Sequence, residues 1–317
     1  MQAISGISFF VPAYNAADTI VESIGSVVEA AKELDGIEVE IVVVDDGSTD
    51  GTAALVRTEY AGDARIRVHA HRRNRGGAAA RNTAVEHAVH EWVFCLDSDN
   101  LVDPVSVQRM AEMAAAGDWD VVATTETRFF KTTPARSTHS WFWDRTSLDI
   151  GDVLSAYETP VAGGNYLFST AAWARAGGYP EFAGSLDAWG FGVRLLFAGA
   201  RFGVCPDTFY LHRQGHESYY IRDSDDRRAI AAAQILLPYV SRLSVRDRKR
   251  LLGDGELLDY FAQIPSQPLT VEGLEPQGSA ARVVVDGGAV AAPRPIAETR
   301  VRRLRRAIAL RRHAQHR

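Results

Sequence analysis

The chain has 317 residues, 46% of them hydrophobic and 24% charged, an ordinary balance for a globular protein of one domain with additions or of two domains. The net charge of −5 is unevenly spread, because residues 300–317 carry eight arginines and no acid, so the rest of the chain is more acidic than the total. An acidic body argues against nucleic acid as a partner, which would need a basic face on the folded domain, and it suits a site that handles cations and phosphates. Cys95 and Cys205 lie in apolar runs without metal-ligand spacing and read as buried thiols of a reducing compartment. No run approaches the roughly 18 apolar residues of a membrane span, and Met1–Gly6 lacks the basic opening of a signal peptide, so the expected location is cytoplasmic.

In chain order, Ile7–Val11 reads as a strand closed by the loop Pro12-Ala13-Tyr14-Asn15. Asp18 or Thr19 can then cap a helix running to about Leu34, with Ile20, Ile24, Val27, Val28 and Ala31 on one face. Glu38–Val44 is a second strand, and it ends in Asp45-Asp46-Gly47-Ser48-Thr49-Asp50-Gly51-Thr52, where Asp50 reads as a helix cap. Ile66–Ala70 is a third strand, followed by Asn74-Arg75-Gly76-Gly77 and an alanine-rich helix over 78–90. Trp92–Leu96 is a strand able to be buried on both faces, and it stops at Asp97-Ser98-Asp99.

This alternation predicts an α/β fold, Rossmann-like, with a mostly parallel sheet flanked by helices and right-handed crossovers. Its polar loops gather at one sheet edge, the place where such folds bind nucleotides. The glycine fingerprint of dinucleotide binding and the lysine of a P-loop are both missing from this sequence. Two carboxylates one residue apart at the end of a strand suit Mg²⁺ or Mn²⁺ shared with substrate phosphates, although Asp-Ser-Asp-Asn is by itself equally a turn.

Four segments, Phe10-Val-Pro-Ala-Tyr-Asn15, Val44-Asp-Asp-Gly-Ser-Thr-Asp-Gly-Thr52, Asn74-Arg-Gly-Gly-Ala-Ala-Ala-Arg-Asn82 and Leu96-Asp-Ser-Asp-Asn100, occur in an order and spacing that resemble the family 2 glycosyltransferases of GT-A fold. The resemblance extends over about residues 5–215. It implies a metal-dependent, inverting transfer of sugar from a nucleoside-diphosphate sugar, UDP favoured, to a glycan or lipid-linked acceptor at the cell envelope. Pro12, Ala13, Tyr14 and Asn15 would line the base, and Asp45 or Asp46 would accept from the uracil N–H. Asn74, Gly76 and Gly77 would let backbone approach the ribose and phosphates, with Arg81 answering phosphate charge and Asp97 and Ser98 at the ribose. Asp99 would hold the metal, with His212 or alternatively His216 completing its shell from a shared helix face. Asp187, which opens a helix, would be the catalytic base, although Leu186 stands where related enzymes carry a second acid. Gly164, Asn165 and Trp189 would face the acceptor.

Between these motifs, Trp119–Thr125 reads as a strand and 129–150 as an irregular excursion, whose Trp141, Phe142 and Trp143 suit a core or a sugar-stacking surface equally. Phe202–Pro206 reads as the last strand, Arg213 as a possible phosphate clamp and Ser218-Tyr219-Tyr220 as a lid. The expected organisation is a catalytic domain over 1–221, with its nucleotide half to about 104 and its acceptor half from about 105. A mainly helical extension over 222–264 follows, with one helix over 225–243 and another over 245–264, then a linker over 265–296 rich in Pro, Gly and Ala. A basic amphipathic helix over 297–317 follows, whose residues 299–316 suit the surface of an anionic membrane, with subunit contact or a solvated tail as the alternatives. Oligomeric state is not encoded in any of these patterns.

Overall fold

The computed structural model describes residues 4–155, 158–215, 225–245 and 248, all within one compact unit spanning Met1–Leu251. The linker, the basic helix, His216, the segment 218–220 and all of the expected second extension helix except Val245 and Arg248 lie outside the described residues. Aliphatic runs form the first strands, β1 (Gly6–Ala13), β2 (Glu38–Asp45), β3 (Ile66–Ala70) and β4 (Trp92–Cys95). These pair in parallel in the order β3-β2-β1-β4. They are joined by α1 (Ile20–Glu33), α2 (Thr52–Glu59) and α3 (Gly77–His87).

After β4 come β5 (Leu101–Val102), α4 (Pro104–Ala116) and β6 (Val121–Phe130). Then follow β7 (Ser137–Phe142), β8 (Ser147–Leu148), α5 (Ile150–Ser155) and α6 (Pro160–Gly163). The sheet is completed by β9 (Tyr166–Ser169), α7 (Thr170–Ala176), α8 (Asp187–Phe197) and β10 (Phe202–Arg213), with α9 (Asp225–Leu236) beyond it. β9 runs antiparallel between β4 and β6, and β10 lies parallel to β6.

Alternation along the strands divides the core. Phe10, Cys95, Phe168 and Phe191 pack with α8 on one face, while Phe9, Val11, Ile41 and Phe94 pack with Ile24, Val27 and Met110 on the other. No helix among the described residues is long and apolar enough to cross a membrane.

Three expectations are corrected. β6 runs five residues past Thr125, and residues 137–142 form an antiparallel partner to it instead of an irregular excursion. β10 extends past Pro206 to Arg213 through a register shift between Cys205 and Phe209, where Asp207 has φ 54°. That bulge hides the strand from a pattern search, because it splits one element into two short apolar runs. His212 therefore sits on a strand, not on a helix face. Finally, α9 gives way at Leu236 to a 3₁₀ turn over Leu237–Arg242, because Pro238 lacks the N–H that would continue an α-helix.

Candidate active site

The loops after β1 and β2 are tied directly to one another. Asn15, at φ 51°, donates its backbone N–H to Ser48 Oγ at 2.8 Å and accepts from the Thr49 N–H at 2.9 Å. Asp50 accepts from the Ala17 N–H at 2.9 Å and from Thr52 N–H and hydroxyl, and these hydrogen bonds pull its pKa below the usual range although burial pushes the other way. It supports the start of α2 from the residue before the Gly51 cap, close to the expected capping role. Tyr14 is 49% exposed and presents its ring at the rim.

The two strand-end aspartates divide their work. Asp46 is buried, and its carboxylate accepts from the N–H groups of Arg75 and Gly76 and from His71 Nδ1 at 2.6 Å. It anchors the Asn74–Gly77 loop, and His71 reaches on to Thr83 of α3. Asp45 is also buried but receives only the Ser48 N–H at 3.2 Å among the hydrogen bonds described. Of the two, Asp45 keeps the larger accepting capacity. Gly47, at φ 75°, is required here because a Cβ would stand 2.7 Å from the Arg73 backbone.

The Asp97–Asn100 turn is held from several sides. Thr19 occupies the cap position of α1 but spends its hydroxyl on Ser98 O at 2.9 Å. Arg213 donates from Nε to Asp99 O at 2.8 Å, pairs with Glu22 and lies over the Phe130 ring. It braces the turn and is not free to clamp a phosphate. Asn100 is completely buried; its Oδ1 accepts the Arg213 N–H at 2.7 Å and its amide reaches both Asp97 and His212 Nδ1. Burial holds the His212 pKa down despite the Asp97 charge, so the neutral ring accepts that hydrogen bond.

Arg81 does not point to open space where a phosphate would lie. Its Nη1 donates to Asp187 Oδ2 at 2.7 Å and its Nη2 to Asp97 Oδ1 at 2.7 Å. Asn165, expected at the acceptor, instead gives its amide to Asp97 Oδ2 at 3.1 Å and Cys95 O at 3.2 Å. Burial works against the Arg81 charge, but the two carboxylates hold its pKa well above the ordinary arginine value. Burial likewise raises the Asp187 pKa, opposed by Arg81. Gly77 makes this approach possible, since a Cβ there would stand 2.7 Å from Arg81 Nη1 and 3.0 Å from Asp187 Oδ2. The Gly76–Gly77 pair thus serves the protein's own side chains as well as any ligand. Gly164, at φ 73°, packs against Ala188, where a Cβ would be 2.5 Å away, and Trp189 packs half-buried against the core.

Among the described residues no group of three or more His, Cys, Asp or Glu side chains could hold a metal. The Asp97–Asp99 pair still fits Mg²⁺ or Mn²⁺, which keep several waters and share one or two carboxylates with substrate phosphates. Asp99 is the fitting donor. No other side chain donates to its carboxylate in the hydrogen bonds described, and burial with the neighbouring Asp97 charge pushes its pKa up to about 6. A cation would relieve that charge. His212 commits Nδ1 to Asn100, so only its Nε2 would be left to face one. Sequence reasoning missed His71, the hold of Thr19 on the Asp97–Asn100 turn and the double role of Arg81. Only tertiary contact reveals these, because each partner lies on a different element.

The strand-end loops of this α/β sheet converge on a paired-carboxylate turn and a buried arginine-bound aspartate, at the sheet edge where such folds bind their ligands. The chain belongs to glycosyl transferase family 2, whose family profile matches residues 8–169. It is similar to the succinoglycan biosynthesis protein ExoO of Rhizobium meliloti (strain 1021), 45% identical over 113 residues, which are 36% of this chain and 31% of that protein. The chain thus matches about a third of the length of that relative. Among solved structures, it resembles S. aureus TarS 1–349 in complex with UDP-GlcNAc (TM-score 0.63, 20% identity, 79% of this chain and 71% of that one). It also resembles the mannosyltransferase PcManGT from Pyrobaculum calidifontis in complex with GDP-Man and Mn²⁺ (TM-score 0.56, 23% identity, 84% and 77%). The fold expected from the sequence is therefore the one found.

Proposed function

We propose that this protein is an inverting, divalent-cation-dependent glycosyltransferase that moves a sugar from a nucleoside diphosphate, UDP favoured, to a hydroxyl of a growing polysaccharide. The observation that carries this reading is the single guanidinium of Arg81, which joins the buried Asp187 to the strand-end Asp97. That shared contact supports reading the strand-end turn and Asp187 as parts of one site. The ExoO name supports the polysaccharide setting, and the ligands named for TarS and PcManGT support a nucleotide-sugar donor and Mn²⁺.

In this reading Asp187 takes the proton from the acceptor hydroxyl as its oxygen attacks the anomeric carbon. The bond to the diphosphate breaks on the opposite side, inverting the centre. A raised carboxylate pKa suits the role, because a base works best with a pKa nearer the operating pH. Arg81 holds the Asp187 carboxylate in place while Gly77 gives it room. Asp97, held by Arg81, Asn165 and Asn100 with its side chain 24% exposed, would meet the ribose, and Tyr14 would offer its ring to the base. A divalent cation bound at Asp99 would supply Lewis-acid neutralisation of the departing diphosphate. Residues 1–221 are proposed as the catalytic domain, with 299–316 as a peripheral membrane contact.

The test is thermal stabilisation of the full chain by UDP, GDP, dTDP and CMP, each with and without Mn²⁺. A shift for UDP that needs Mn²⁺ supports the reading, since a ligand that binds the native state raises apparent stability. No shift with any nucleotide would leave a sugar-binding protein without catalysis as the better account.

A further inference from the structure

We propose that Asn82 and Arg194 are positioning residues, which align Arg81 with Asp187 by clamping the turn Gly177-Gly178-Tyr179 between α3 and α8. The proposal rests on the glycosyltransferase reading, with Asp187 as the base, and adds the residues that set the base in its place.

Arg81 stands on α3 and Asp187 opens α8, so the 2.7 Å contact between them depends on how the two helices are placed. Asn82, the residue after Arg81, commits both ends of its amide to the turn. Its Nδ2 donates to Tyr179 O at 3.0 Å and its Oδ1 accepts the Tyr179 N–H at 2.8 Å, so one side chain satisfies both backbone groups of a single residue. The same Oδ1 accepts the Trp173 indole N–H at 3.2 Å, and Nδ2 donates to Glu181 Oε1 at 3.3 Å. Gly178, at φ 68°, permits this approach, because a Cβ there would stand 2.8 Å from Asn82 Oδ1.

From the other side, Arg194 of α8 donates from Nη1 to Gly177 O at 3.1 Å and to Gly178 O at 3.0 Å. The buried Tyr179 ring stacks on Phe191 of α8, one turn beyond Asp187, with ring centroids 4.1 Å apart. The Arg81 guanidinium carbon lies 5.8 Å from the centre of that same tyrosine ring. Arg81 and Asp187 are thus joined twice, directly by their ion pair and again through the turn. A long, flexible side chain holds a carboxylate in one geometry only if the helix that bears it is itself fixed, and the turn supplies that support.

The donor side of α3 has its own anchor. His71 bridges Asp46 to Thr83, and Asp46 holds the N–H groups of Arg75 and Gly76. Loosening the turn should therefore disturb the base and spare the nucleotide. The titratable and charged groups that face Asp187 are Arg81, Asp97, Cys95, Tyr166 and Tyr179, and of these only Arg81 is a cation.

The experiment measures release of UDP or GDP from UDP-glucose, UDP-GlcNAc and GDP-mannose by the full chain with Mn²⁺, over a range of pH. For the donor that is cleaved, Asn82→Ala is expected to lower kcat about tenfold while the donor KM stays within about threefold. The acid limb of its kcat profile moves to higher pH, because a displaced Arg81 no longer holds the Asp187 proton affinity down. Arg194→Ala shows the same signature. Arg194→Lys, whose ammonium can donate to the same two carbonyls, recovers most of the loss. Circular dichroism checks that each variant folds, and the half-buried Arg194 carries the test if Asn82→Ala does not. An unchanged kcat in a folded alanine variant, a rise in donor KM as large as the fall in kcat, or a lower kcat with the acid limb unmoved would overturn the clamp as a positioning device. Absence of any donor cleavage by wild type would instead count against the glycosyltransferase reading itself.

Discussion

The carboxylates of Asp97 and Asp187 share one guanidinium, each 2.7 Å from a different terminal nitrogen of Arg81. A lysine cannot reproduce this fork, because it offers a single point of charge where arginine offers a planar pair of donors. Arg81→Lys is expected to lower kcat about 10- to 100-fold while the UDP dissociation constant changes by no more than a few-fold. Arg81→Gln leaves the buried Asp187 without a counter-ion and is expected to cost about 3–5 kcal/mol of stability. Adding Asp187→Asn to it should recover part of that loss. Urea titration and calorimetric UDP binding separate these outcomes, and a large loss of UDP affinity in Arg81→Lys would mark the residue as a phosphate ligand instead.

Asp187→Asn keeps the size of the side chain and removes its basicity. Transfer is expected to fall about 10²- to 10⁴-fold, the usual contribution of a general base, with UDP binding retained. If the variant transferred sugar as fast as wild type, the base would have to be sought elsewhere.

Gly77→Ala tests the room that this glycine leaves. The new methyl group would stand 2.7 Å from Arg81 Nη1, the movable end of that side chain, and 3.0 Å from Asp187 Oδ2, and would push the pair apart. The buried Asp187 then loses its counter-ion, so kcat is expected to fall about tenfold and Tm to fall with it, by less than in Arg81→Gln because the arginine keeps its contact with Asp97.

Asp99 makes the metal-free protein pH-dependent. Its folded pKa of about 6 lies above the unfolded value of 3.8, so the fold binds this proton more tightly than the open chain does. The contribution is favourable below pH 4 and is lost as pH rises through about 6, leaving a cost of about 3 kcal/mol at pH 7. In EDTA, Asp99→Asn should therefore be more stable than wild type at pH 7, with the difference vanishing near pH 4. With Mn²⁺ and UDP the order should reverse, because only wild type gains from the cation. Equal melting curves at pH 7 in EDTA would contradict the assignment.

The strand-helix alternation and the four loop motifs were legible because each is local: an aliphatic run, a glycine pair, two aspartates one residue apart. Arg81 was legible as a functional residue but not in its role. Its partners lie on β4's exit turn and on α8, and no spacing rule links them. The family resemblance puts Asn165 at the acceptor, yet its amide turns inward to Asp97. The second half of β10 was hidden by the bulge at Pro206–Asp207, which carried His212 from an expected helix face to a strand. The different fates of Trp141, Phe142 and Trp143, which are half-buried, exposed and packed against the core in turn, followed only from the pairing of β7 with β6.

The turn at Asp97–Asn100 is anchored by Thr19 from α1, by Arg213 from β10 and by Asn165 from the segment before β9. Its order is thus acquired when the protein folds, not when a donor arrives. Little conformational freedom remains there to be surrendered on binding, so capture of the diphosphate at this turn should resemble the docking of two rigid bodies. Its signature would be fast association and a heat-capacity change no larger than the buried surface requires.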